Sequence, residues 1–142
     1  MAITFVEQLR RNAVALISLV VAISSLSYNT WRNEATEDNR NQRVAAFEIL
    51  LKLGELQQVV FHVHYDRDLD KGNPRIGWAY VLTINDLAMV LPEAMQTVTS
   101  GLLQAWGENW ESLADSSTSL DIVMQALDAT RNQTLVLLRS LE

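Results

Sequence analysis

The chain has no cysteine and only two histidines. The first absence removes disulfides, thiolate nucleophiles, zinc fingers and iron–sulfur clusters. It leaves the redox compartment open, because a cysteine-free helical domain suits cytoplasm and periplasm alike. The second leaves His62 and His64 on one short segment, so a hydrolytic triad would need a serine and an aspartate from elsewhere in the fold. A Gly-rich phosphate loop is also missing, and no enzymatic activity is expected. Basic residues are few, 11 against 17 acidic for a net charge of −6, and they form no cluster. A nucleic-acid partner is therefore not expected. Apolar residues are plentiful: 49% hydrophobic and 20% charged over 142 residues. That balance excludes a disordered chain and allows one compact domain with an appendage.

The appendage announces itself in AVALISLVVAISSLSYNTW, residues 13–31, which carries no charge. At ~1.5 Å rise per residue a helix of this length matches roughly the thickness of a hydrocarbon core. Arg10 and Arg11 precede it, and Tyr28, Trp31 and Arg32 close it, as rings and cations do at a headgroup boundary. Ser18, Ser24, Ser25 and Ser27 dilute its apolarity, but a serine hydroxyl inside a helix can bond back to its own backbone. A retained single-span anchor fits this pattern better than a leader cleaved near Ala22 and Ser24, or a buried core helix. Arg10 and Arg11 stand tight against the span, whereas Arg32, Arg40 and Arg43 are interleaved with Glu34, Glu37 and Asp38. This leans the N-terminus inward and the acidic domain outward, into a bacterial-type periplasm, with the inner membrane as address. Ala15, Ser18, Ala22 and Ser25 recur at intervals of 3, 4 and 3, giving one small face on which another helix can approach closely in lipid.

Beyond residue 32 the pattern is helical throughout. Ala46, Ile49, Leu53, Leu56, Val60 and Val63 are spaced 3, 4, 3, 4, 3, the coiled-coil-like seam of a helix packed lengthwise on others. Phe47, Leu50 and Val59 are expected to widen it. The polar turns before Arg43 read as a stalk continuing the membrane helix, since nothing obliges that helix to stop at Trp31. Gly72 and Pro74 mark a stop. Ile76, Tyr80, Ile84, Leu87 and Leu91 fit a second helical stripe, although Trp78–Ile84 is β-branched and aromatic enough to compete as a strand. Pro92 is expected as the first residue of a third helix with the stripe Met95, Val98, Leu102, Trp106, Trp110 and Leu113, weakened by Gly101 and Gly107. After the polar DSSTS linker, Thr118 and Asp121 resemble a capping box. The last stripe is Leu120, Val123, Leu127, Thr130, Thr134, Leu137 and Leu141. The two threonines are expected to bond back to their own helix or to meet a polar partner.

One stretch resembles chemistry. HVHYDRDLDKGNPR places His62, His64, Asp66, Asp68 and Asp70 within nine residues. The alternating aspartates match the start of a calcium-binding EF-hand loop, but Lys71 stands where that loop needs glycine, and Gly77 where it needs a bidentate glutamate. Histidines two apart point to nearly opposite sides of a helix. The absence of any Glu-x-x-His pair removes a di-iron bundle. A solvated turn accounts for the segment better than a metal site, so no metal or cofactor is expected. Trp78, Trp106 and Trp110 are more readily core than ligand pocket. The glycosylation triplet Asn132-Gln133-Thr134 places its threonine on the packed seam.

The expected architecture is all-α: a single N-terminal transmembrane helix in residues 1–32, then an up-and-down four-helix bundle in residues 33–142. The expected function is protein–protein interaction, as an accessory or scaffold subunit of a membrane complex. Its partners would be the lipid bilayer and either another membrane protein or a homo-oligomer. A membrane-tethered sensor binding a small molecule is the alternative, and a metal-binding role through His62–Asp70 ranks third.

Overall fold

The structure, a computed structural model, describes residues 5–141. Residues 1–4 and 142, at the outer ends of the two expected ranges, lie outside the described residues. Every regular element among the described residues is helical: α1 Phe5–Arg11, α2 Ala13–Phe61, α3 Pro74–Leu87, α4 Glu93–Asn109 and α5 Ser117–Ser140. The strand considered for Trp78–Ile84 is helix. The chain divides into two compact units, Met1–Asn39 and Arg40–Glu142.

In the first unit, backbone bonds from Asn12 N to Gln8 O (3.0 Å) and from Leu16 N to Asn12 O (2.9 Å) carry the helical ladder through the α1–α2 junction. α2 then runs without interruption through Trp31 and the polar turns beyond it. Proline is absent from this helix and its one glycine, Gly54, comes late, so nothing forces a break.

In the second unit one core joins α2, α3, α4 and α5. From α2 and the turn that follows it, the core takes the whole of the expected seam: Ala46, Ile49, Leu53, Leu56 and Val60 of α2, and Val63 just beyond its end, are all buried. Val59 is buried with them and Leu50 packs against the cluster. Phe47 does not widen the stripe; it is 57% exposed. At about 100° per residue it sits on the side of the helix opposite the seam. A fully buried Leu or Ile contributes about 1.5–3 kcal/mol, so this face alone is a large part of what holds α2 to the other helices.

α2 gives way to a π-turn at His62–Asp66, which Arg67 ends in the left-handed region with φ 50°. Asn73 caps α3: its side chain accepts from Arg75 N at 3.0 Å, with Pro74 as the first helical residue. The core face of α3 is Gly77, Val81 and Ile84, continued by Ala88 and Leu91, while Ile76 is exposed. A Cβ at Gly77 would collide with Cζ2 and Cη2 of the fully buried Trp106. Glycine is thus required where the indole of α4 meets the backbone of α3. Pro92 precedes α4 as its cap and is not its first residue. On α4, Met95, Leu102 and Trp106 are buried, with Leu113 just beyond, while Val98 and Trp110 pack at the margin.

α5 begins two residues before the expected capping box. Ser116, not Thr118, is the cap, its hydroxyl accepting from Ser119 N at 3.1 Å. The mid-seam threonines do both things asked of them. Thr130 Oγ1 donates to Ala126 O (2.9 Å) and lies 3.3 Å from Val98 O of α4. Thr134 Oγ1 donates to Thr130 O (2.7 Å) and lies 3.8 Å from Met95 Sδ. These pairs, 98 with 130 and 95 with 134, make α4 and α5 antiparallel. α5 also runs antiparallel to α2: Arg131 donates to Gln57 Oε1 at 2.6 Å, and Arg43 donates to the carbonyl of Leu141.

Candidate functional site

The first candidate is the uncharged stretch 13–31 of α2. Its large side chains are exposed, Val14 at 78%, Leu26 at 70% and Trp31 at 66% among them. So are Ala15, Ser18, Ala22 and Ser25. The helix is long and apolar enough to cross a membrane by length and composition. Ser18 Oγ donates to Val14 O at 2.8 Å, which satisfies a hydroxyl that would otherwise be costly in hydrocarbon. Tyr28 and Trp31, one turn apart, bring their rings to 6.2 Å at 45°. Past them Thr36 makes the same back-bond, to Arg32 O at 2.8 Å, although its surroundings are polar.

The second candidate is the segment His62–Asp70. The π-turn separates its side chains rather than gathering them. His62 Nδ1 pairs with Asp66 Oδ2 at 2.7 Å. His64 Nδ1 lies 2.7 Å from the backbone carbonyl of Leu113. A carbonyl only accepts, so His64 Nδ1 carries the proton. This bond ties the α2–α3 connection to the α4–α5 connection, and Arg67 adds an exposed ion pair to Asp115 at 3.2 Å. Asp68 Oδ1 accepts from the backbone N–H groups of Lys71 (3.0 Å) and Asp70 (3.1 Å). The Lys71 N–H first, and Asp70 after it, holds the Asp68 carboxyl below the usual carboxylate range. Gly72 is buried here because a Cβ would meet Val63 N at 2.7 Å and Asp68 O at 2.9 Å. Four of the five side chains thus serve three separate jobs in the turn, and Asp70 contributes its backbone N–H. Among the described residues no three histidine, aspartate or glutamate side chains converge as a metal site would need.

The third candidate, the tryptophans, is packing. Trp106 is fully buried with its Nε1–H unpartnered, and Trp78 and Trp110 flank the core.

One surface feature escaped the sequence reading. Val44, Phe47 and Leu51 are 63%, 57% and 63% exposed on the outer side of α2, and Phe61 and Tyr65 are also exposed. Their signal is the spacing of 3 and 4 between positions 44, 47 and 51, of which only Phe47 is counted above, with the core seam. Compared with protein-family models, curated proteins and solved structures, the chain matches none.

Proposed function

We propose that this is a single-pass membrane protein whose helical domain serves protein–protein interaction, as an accessory or scaffold subunit of a membrane complex. Residues 13–31 span the bilayer. Arg40–Glu142 is an up-and-down four-helix bundle held beside it. The observation that carries the reading is the exposure of every large side chain in an uncharged helical stretch of membrane length. An exposed apolar surface of that extent is costly in water and favourable in lipid. Arg10 and Arg11 hold the N-terminus on the inner side, and the acidic bundle faces the outer side of a bacterial-type inner membrane. The paired Tyr28 and Trp31 rings mark the headgroup level at the far end of the span,.

An interaction role is favoured over catalysis by how the polar residues are spent. His62, His64, Asp66 and Asp68 are engaged in turn bonds, and the mid-core threonines in helix bonds. The test is affinity purification of the full chain from membranes in mild detergent. A stoichiometric partner, or a defined homo-oligomer, is the expected result. Recovery as a monomer without companions would overturn the interaction role.

A further inference from the structure

We propose that the exposed stripe Val44, Phe47 and Leu51 on α2 is the seam of a parallel homodimer, its occupant being the same helix of a second copy. This rests on the membrane-anchor reading, because two copies inserted with the same orientation present their α2 helices side by side and in the same direction.

Three observations select a second copy over another partner. The first is the heptad. The stripe is apolar at 44, 47 and 51 and continues at the same alternation of 3 and 4 through 54, 58 and 61, where α2 ends. Phe61 and Tyr65 are exposed there, with rings 5.7 Å apart. Gly54 and Gln58 interrupt it. A polar residue at one such position fixes register in coiled coils at some cost in stability, and two Gln58 amides facing each other across a two-fold axis satisfy one another. Counted back along the sequence in steps of seven, the register crosses the polar Arg40, Glu37, Asn33 and Thr30, so the apolar seam starts at Val44.

The second is charge. In a parallel pair, the residue just before one seam position lies near the residue five places on in the partner. Here that couples Arg43 of each copy to Glu48 of the other. Arg43 is exposed and uses one amino group on the Leu141 carbonyl, leaving further donors. Glu48 is 45% exposed and only 3.9 Å from Lys52, whose closer partner is Glu55 at 2.7 Å. An antiparallel pair would instead set Glu48 and Glu55 against their own kind.

The third is position. The opposite face of α2 in this unit is consumed by the core, so Val44, Phe47 and Leu51 form the face left for a partner.

The absence of cysteine makes the test direct. Single substitutions Val44→Cys, Phe47→Cys and Leu51→Cys are introduced into the full chain in phospholipid vesicles, with Thr83→Cys and Asp128→Cys on exposed faces of α3 and α5 as controls. Seam positions in a parallel pair come close enough for a disulfide. Mild oxidation is expected to give a dimer at the three seam positions and not at the controls. Arg43→Glu should lower the Leu51→Cys dimer yield about two- to fivefold, a surface ion-pair effect, and Glu48→Arg added to it should restore the yield. A membrane-bound monomer at all three positions overturns the dimer and leaves the anchor standing. So does equal linking at the controls. A chain recovered outside the vesicles overturns the anchor, and the inference with it.

Discussion

α2 contains two apolar stretches that behave in opposite ways. Residues 13–31 are apolar on all sides and exposed, whereas between Ala45 and Val63 apolar side chains repeat at 3 and 4 and one face is buried to 5% exposure or less. Both are good helix, so propensity does not separate them. The difference is periodicity. A stripe covers one face and demands a protein partner for it. A continuous apolar surface has no preferred face and suits a surrounding solvent that is itself apolar.

The comparison is broken most severely by exchanging damage between the two stretches. Trp106→Ala removes the largest side chain of the core beneath the seam. It should cost about 3–5 kcal/mol of bundle stability in thermal unfolding of the detergent-solubilised chain, while leaving membrane partition unchanged. Val20→Arg should do the reverse. A cation near the middle of the span costs about 3 kcal/mol of insertion, read as loss from the membrane fraction, with the bundle transition unmoved. If both variants shift both readouts, the two stretches are not independent.

Gly77→Ala comes next. The added methyl must displace the buried Trp106 ring, so about 1–3 kcal/mol of destabilisation is expected. A neutral result would mean the indole does not lie against α3. Ser116→Ala removes the cap of α5 and should cost about 1 kcal/mol, whereas Thr118→Ala should cost far less. The smallest effect is electrostatic. Asp68 is held below the usual carboxylate range by N–H groups that exist only in the folded turn. Its contribution is therefore complete above the unfolded carboxylate pKa and is lost as pH falls through the folded value. Melting temperatures of the native chain and of Asp68→Asn should converge as pH drops from neutral toward 3. A gap that widens on acidification would contradict the assigned sign.

Much of the helical domain was legible because its period is regular. The five seam residues on α2 have no exposed surface, and the sixth, Val63 in the following turn, is 3% exposed. Where reading failed, a local contact decided the outcome. On α3 the core position is Gly77, which offers no side chain to mark it as apolar, so the neighbouring Ile76 drew the stripe one residue off. The stop signals Gly72 and Pro74 were correct about the turn, but α2 leaves helical geometry earlier, at Arg67 in a left-handed conformation that an arginine does not advertise,. In DSSTS all four residues after the aspartate are serine or threonine; Ser116 is the cap, accepting from Ser119 N, while the Ser119 hydroxyl lies 2.8 Å from that of Ser112. The outer stripe of α2 lies on the face opposite the seam but interleaves with it in sequence, so its few apolar residues read as flanks of the stronger pattern.

The account stands on residues 13–31 lying in lipid, and site-directed labelling measures that directly. Single cysteines placed from Asn12 to Asn39 in the vesicle-reconstituted full chain are challenged with a water-soluble maleimide. Protection at positions 14 to 27, with reactivity returning beyond Trp31, is the expected profile. Uniform labelling through 14 to 27 would show the stretch in water and contradict the central claim.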